Sequence, residues 1–373
     1  MPRLTPLVVS VFVVCAVPTV RAQVFQPGSL IVSRTNYAGN ASTVSVGQAL
    51  PGGGNAIADG SFPNVFKNES VDSSFGISSP IYLDQLTTGG SFLSGVAIDA
   101  GLMTTSFASK SELALNISSD GSSVTFMGYA APQNTLDVSN SNAAAVLDLT
   151  NPVSLTVPRA IGQVNLATGA LQVTDINAYS GNNGRAAALV NGSYYTVGNS
   201  GNGSGNGTTL SQLSDNTGVQ RIAVGSSGNT TAVGEVQGTF GSSNGYQRGF
   251  SLAQLPDPAH PGHSYSPDKS GKDDNFRGLT VFNNTLYVSK GSGSNGVNSV
   301  YQVGASGALA NGGTISNAAI TILPGFNTLS EKVAESNSKP VATPHPFGMW
   351  FADPARCSWP TKETVPGWAR PAR

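Results

Sequence analysis

The densest concentration of chemistry-bearing side chains lies in "PDPAHPGHSYSPDKSGKDDNF", residues 256–276. His260 and His263, with Asp257, Asp268, Asp273 and Asp274, offer mixed nitrogen and oxygen donors that could hold a divalent metal ion. No helical pattern aligns the two rings of H-x-x-H, and Pro256, Pro258, Pro261 and Pro267 write the stretch as a long exposed loop. A solvated connection between structural elements is therefore the competing reading of the same residues. Long loops on a rigid scaffold often carry a binding face, which keeps this set as the leading site candidate.

Other chemistry signals are weaker. "GSSNG" (241–245) matches G-x-S-x-G with Ser243 as nucleophile, but "YQRGFSL" follows where a nucleophile elbow needs a helix. "GSGSNG" (291–296) matches G-x-G-x-x-G, yet "VNSVYQV" after it reads as a strand, so no helix N-terminus faces a pyrophosphate. His345 stands between two prolines and is expected in a turn. Arg185 and Arg277 each precede an apolar run; they are expected to pair with carboxylates between sheets rather than to line a channel for an acidic ligand. Tyr194, Tyr195 and Tyr287 are expected to pack within strands rather than to form a stacking platform.

The elements that would position these groups are short strands. Apolar residues alternate over "SLIVSR", "SVTFMGY", "GALQVTDI" and "NSVYQV", each run ending in turn residues, which predicts half-buried antiparallel strands. "RAAALVNGSYYTVGNSGNG" from Arg185 lies over "RGLTVFNNTLYVSKGSGSNG" from Arg277 without a gap around the turn, Asn191-Gly192 falling on Asn283-Asn284. Both turns suit the positive φ angles of type I′ and predict tight hairpins. "ELALNISSDGSSVTFMGY", turning at Asp120-Gly121, and "PFGMWFADP", turning at Asp353-Pro354, are further relatives. The turns fall about 70 to 90 residues apart, so repeat units of ~40–50 residues put some copies two units apart. "RAIGQVNLATGALQVTD" and "RIAVGSSGNTTAVGEV" then read as intervening pieces with worn motifs. The expectation is an all-β chain, a β-propeller of about six or seven blades over residues 23–355; a large β-sandwich or β-helix is the alternative.

Composition bounds the rest. The chain is 39% hydrophobic and 10% charged with net charge −1, which excludes a disordered chain and gives no basic footprint for nucleic acid. Residues 1–22 read as a secretory signal: Arg3, the apolar "LVVSVFVVCAVPTV" and "VRA" before Gln23. No later run is long enough to span a bilayer, so a secreted or cell-surface protein is expected. Cys357 is then the only cysteine of the mature chain, and no intramolecular disulfide can form. Sequons stand at Asn40, Asn68, Asn116, Asn191, Asn202, Asn206, Asn229 and Asn283, with Asn191 and Asn283 at predicted, accessible turns.

The C-terminal copy breaks after "FADPA" into "RCSWPTKETVPGWARPAR" (356–373), with proline, charge and tryptophan replacing apolar alternation. One permitted slipped translation of its codons, read from the third base of Arg356, gives "LLVADEGDG", whose "LLV" falls on Leu286-Tyr287-Val288. Residues from about 356 onward are read as an out-of-frame tail, in which Cys357, Trp359 and Trp368 carry no design. Resequencing the gene there tests this. Together "FQPGSLIVSR", "RAIGQVNLATGALQVTD", "YSGNNGRAAALVNGSYYTVG", "RGLTVFNNTLYVSKGSG" and "PFGMWFAD" resemble uncharacterised exported β-propeller-like proteins over most of the mature chain. In those, an opening "GNLVVxR"-like strand and a "PFGxWF" phrase followed by "LYVADEG" recur. The resemblance implies the propeller fold, supports the slipped reading and implies that the last blade is missing; it brings no catalytic residues.

The expected function is a non-catalytic binding or structural module outside the cell, with a polysaccharide or protein ligand. The alternative is a propeller hydrolase or lactonase using a metal or acidic pocket built from loops such as 257–274.

Overall fold

Asn191-Gly192 and Asn283-Asn284 take φ of 49° and 68°, and of 46° and 55°. Val190 pairs with Ser193, and Phe282 with Thr285. Both are the predicted two-residue hairpins, closed by residues that tolerate the left-handed region. The computed structural model describes residues 24–36, 44–50, 54–58, 66–68, 77–107, 113–144, 146–149, 151, 153, 155–201, 210–240, 245–256, 260–265, 271, 273–291, 296–326, 346, 348–353 and 356–358. Residues 1–22, read above as a signal, and Ser243, His345, Asp257, Asp268, Asn40, Asn202 and Asn206 lie outside them.

The described chain is all-β, with several antiparallel sheets and none closed into a barrel. Three sheets are four-stranded meanders of consecutive strands. The first is Asn116–Ile117, Ser123–Tyr129, Arg159–Asn165 and Leu171–Ile176. The second is Gly184–Val190, Ser193–Gly198, Gly218–Ala223 and Thr231–Ala232. The third is Gly278–Phe282, Thr285–Lys290, Ser299–Val303 and Ile320–Ile322. Ahead of them stands a three-stranded sheet of Leu30–Thr35, Ile81–Leu86 and Phe92–Ala97.

Two organisational expectations change. The hairpins at 120 and 191 open adjacent meanders rather than units two apart. "RAIGQVNLATGALQVTD" and the pieces after Arg221 supply the third and fourth strands of the sheets those hairpins begin. The spacing misled because long excursions interrupt the meanders, as between Tyr129 and Arg159. At the C-terminal end Trp350–Asp353 pairs with Arg356–Ser358; Asp353 is itself paired, with Arg356, rather than taking the first turn position.

Successive sheets pack face on face in chain order. Ile81 and Leu83 of the three-stranded sheet share a cluster with Val124, Phe126 and Ala160 of the first meander. Met127 and Ile161 meet Ala187 and Tyr194 of the second, and Ala186, Tyr195 and Val197 meet Leu279, Val288 and Tyr301 of the third. Phe351 stacks on Phe282 with ring centroids 5.0 Å apart and lies 4.5 Å from the ring of Tyr287. Strands inside this stack are covered on both sides, so Ser123–Tyr129 and Ser193–Gly198 are buried throughout instead of half-buried. Tyr194 and Tyr195 are core residues, as expected. The outer side of the three-stranded sheet stays open, exposing Leu30, Val32 and Phe92 around Arg34, which pairs with Asp84 and covers the Tyr82 ring at 4.4 Å.

Asn191 adds a latch between meanders. Its Nδ2 donates to the carbonyls of Leu309 and Gly313, each at 2.8 Å. Asn191→Gly keeps the positive φ and removes only the amide, so a loss of about 1–2 kcal/mol is expected from two hydrogen bonds at a partly exposed site. Asn283→Gly, at the exposed equivalent turn, should cost clearly less. Paired urea melts check this; equal losses would show that Asn191 acts through its turn alone.

Candidate functional site

The segment "DDNFR", 273–277, enters the third meander and carries its charge into the interior. Asp273 and Asp274 are 0% and 1% exposed. Asp274 Oδ1 accepts the Phe250 N–H at 3.0 Å, and Asp273 Oδ2 accepts the Leu252 N–H at 3.1 Å. Between these two bonds Ser251 opens a short helical turn: its Oγ accepts from Ala253 N–H, while Gln254 Oε1 accepts the Ser251 N–H. The carboxylates thus cap the backbone of 250–252, the use a buried anion finds when no solvent reaches it. Asp274 fits because Gly249, at φ +86°, offers no side chain; a Cβ there would stand 3.2 Å from Asp274 Oδ2 and 2.6 Å from Ile320 Cδ1.

Three cations are buried in and around this segment, of which Lys290 acts on Asp274 by charge. Lys290 ends the strand Thr285–Lys290, is 0% exposed, and donates from Nζ to Asn298 Oδ1 at 3.4 Å. Gly296, at φ +68°, lets the chain pass close: a Cβ there would meet Asp273 O at 2.7 Å and Lys290 Cε at 3.1 Å. Arg185 reaches across from the second meander, Nη1 donating to Asn275 Oδ1 at 2.6 Å and to the Phe276 carbonyl at 3.0 Å. This is the expected inter-sheet role, but these bonds go to an amide and a carbonyl instead of carboxylates. Arg277 is 4% exposed, and burial draws its guanidinium down to about 10. Tyr301 closes the site with its hydroxyl donating to the Val297 carbonyl and its ring edge-on to Phe250 and Phe276, at 4.9 and 5.3 Å.

The electrostatics follow from burial. Desolvation pushes the Asp274 carboxyl well above the usual range; Asp273 adds to that, while the Phe250 N–H and Lys290 oppose it. Burial also raises the Tyr301 phenol, with Asp273 and Asp274 acting in the same direction. A carboxyl that holds its proton more tightly than usual, beside an amine and a carboxamide, can exchange protons with them and polarise a carbonyl.

The sequence-predicted metal set is divided. His260 and His263 are exposed on a turn closed by His263 N–H to His260 O, within a loop bridged from Pro256 to Ser264. Asp273 and Asp274 are in the core. Among the described residues no three His, Cys, Asp or Glu side chains gather as a metal site. Lys290, Asn298 and Tyr301 were not singled out by sequence. One signal pointed to Lys290 alone: in the gapless alignment from Arg185 on Arg277, it occupies the place of Gly198 at a buried strand end.

The sequons also separate. Asn116 Nδ2 donates to Ala187 O at 2.9 Å, and Asn191, though exposed, uses its nitrogen in the latch. Asn229 is exposed and accepts from Asn177 Nδ2 at 3.0 Å; Asn283 is exposed, and Asn68 ends the strand Phe66–Asn68. Strands follow both glycine-rich matches, at Gly245–Arg248 and Ser299–Val303, as expected of neither a nucleophile elbow nor a dinucleotide site. Among the described residues no helix is long and apolar enough to cross a membrane. Compared with known protein families and with curated proteins, the chain matches none.

Proposed function

We propose that the chain is an exported β-propeller-type module, non-catalytic, that binds a polysaccharide or protein or serves as a structural part of the extracellular surface. The observation that carries this reading is how the buried charges are used: Asp273 and Asp274 accept from the backbone of 250–252, and Arg185 from one meander grips the entrance of the next. Groups committed to holding sheets together favour a scaffold over a hydrolase or lactonase. The succession of antiparallel meanders packed in chain order supports a propeller of six or seven blades over a β-helix, whose ladders are parallel, or a sandwich, whose strands cross between two sheets.

The test is affinity electrophoresis of the purified chain through gels holding neutral and acidic polysaccharides, run beside esterase and lactonase assays with and without divalent cations. Retardation by a polysaccharide class with no turnover is the expected result. Turnover that disappears in His260→Ala/His263→Ala would overturn it in favour of the enzyme.

A further inference from the structure

We propose that Lys290 and Asn298 are joined by an intramolecular amide bond that the protein forms on itself. The geometry is that of a reactant pair. Nζ of Lys290 lies 3.4 Å from Oδ1 of Asn298, and the two side chains are 0% and 7% exposed. They sit on neighbouring strand ends, Lys290 pairing across the ladder with Ser299, which follows Asn298 directly. Two buried acids belong to the neighbouring segment: the backbone of Asp273 passes Lys290 at the Gly296 crossing, and the Asp274 carboxyl next along the chain interacts with the Lys290 charge. Aromatic rings of Phe250, Phe276 and Tyr301 wall the site.

A lysine and a carboxamide do not react in water because the amine is protonated and the amide is a poor electrophile. Here both obstacles fall. A desolvated ammonium next to a carboxylate gives up its proton at small cost, since two neutral groups replace two buried charges. The acid so formed is retained, as the upward push on the Asp274 carboxyl indicates. The neutral Nζ then attacks Cγ of Asn298; a C–N bond forms and the carbonyl electron pair moves onto Oδ1, steadied by the carboxyl O–H. Collapse breaks the Cγ–Nδ2 bond, and Nδ2 leaves as ammonia with a proton from Nζ. Atoms balance without oxidant, reductant or cofactor: one ammonia is lost, one amide is gained, and the first proton stays on the carboxyl. Fixed proximity supplies the rate, and the dry surroundings protect the product from hydrolysis.

The bond would tie the second strand of the third meander to the third, at the end where the charged segment 273–277 enters. That suits an exported module whose mature chain holds a single cysteine and so has no disulfide of its own.

Intact-mass spectrometry of the denatured, purified chain, its N-terminus defined by sequencing, tests the proposal directly. The expected mass is lower than the sequence mass by one ammonia, and trypsin fails to cut after Lys290. Lys290→Arg and Asn298→Ala each restore the full mass, and Asp274→Ala leaves the bond unformed. Full mass with normal cleavage after Lys290 in the wild-type chain overturns the proposal, whatever the variants do. Ammonia loss with cleavage after Lys290 intact overturns it too, because that marks a succinimide at Asn298.

Discussion

Arg159→Met costs the fold about 3–5 kcal/mol, the expected penalty for stripping a buried charged group out of its hydrogen-bond network. Arg159 opens the third strand of the first meander and is 0% exposed. Its guanidinium collects main-chain carbonyls: Nη2 donates to Ser139, Ser141 and Asn182 at 3.1, 2.9 and 2.6 Å. Nη1 donates to Val157 at 2.8 Å and Asn142 at 3.4 Å, and Nε to Asn182 at 3.1 Å. The Tyr129 ring lies 5.5 Å from the guanidinium carbon. The excursion between Tyr129 and Arg159 has little regular structure, and the planar fork ties its carbonyls together, although those of Ser141 and Asn142 also accept from the Gly181 and Val157 N–H groups. Methionine fills much of the volume but leaves acceptors desolvated at ~1–3 kcal/mol each. Arg159→Lys should recover only part, because one ammonium cannot span acceptors set around a fork. Urea melts followed by fluorescence measure this, and protease cutting between 130 and 158 should precede global unfolding in both variants. A loss below about 1 kcal/mol, the usual ceiling for an exposed pair, would show that the excursion folds without its arginine.

Why sequence reading passed over Arg159 is instructive. Its phrase was noticed, but its partners are carbonyls of Ser139, Ser141, Asn142, Val157 and Asn182, and backbone acceptors leave no trace in residue types. The hairpins were legible for the opposite reason: Asn191 and Asn283 announce a positive φ through their own chemistry. Which hairpins share a sheet depended on the length of excursions, and sequence spacing carries no information about that. In the candidate site, prolines described the His260–His263 turn correctly as exposed. Asp273 and Asp274 looked like part of the same solvated run, yet Asp273, only ten positions after exposed His263, is in the core. What pulled them inside, the N–H groups of Phe250 and Leu252 and the cation Lys290, comes from segments far off or read as ordinary strand.

Asp274→Asn should remove a pH dependence of stability that runs opposite to ordinary acid unfolding. Desolvation raises the folded Asp274 carboxyl well above its unfolded value, near 3.9 for a free aspartate. The folded state therefore binds this proton more tightly than the unfolded state does. The associated stability is fully present below the unfolded value and is lost as pH rises through the folded one. Each pH unit between the two values costs the wild type about 1.4 kcal/mol. Asparagine keeps an oxygen for the Phe250 N–H and cannot ionise. Wild type and variant should differ by a constant at pH below about 4, and the variant should gain steadily on the wild type above it. Urea midpoints across pH 3 to about 9 test this, and parallel curves would mean that Asp274 ionises in the fold at no cost. Lys290 is the one group facing Asp274 that lowers its proton affinity by charge, whereas Asp273 raises it. An amide at Lys290 deletes that cation, so the wild-type slope should extend to higher pH in cross-linked chains than in Lys290→Arg. The pH profile and the mass measurement thus read the same buried proton by independent routes.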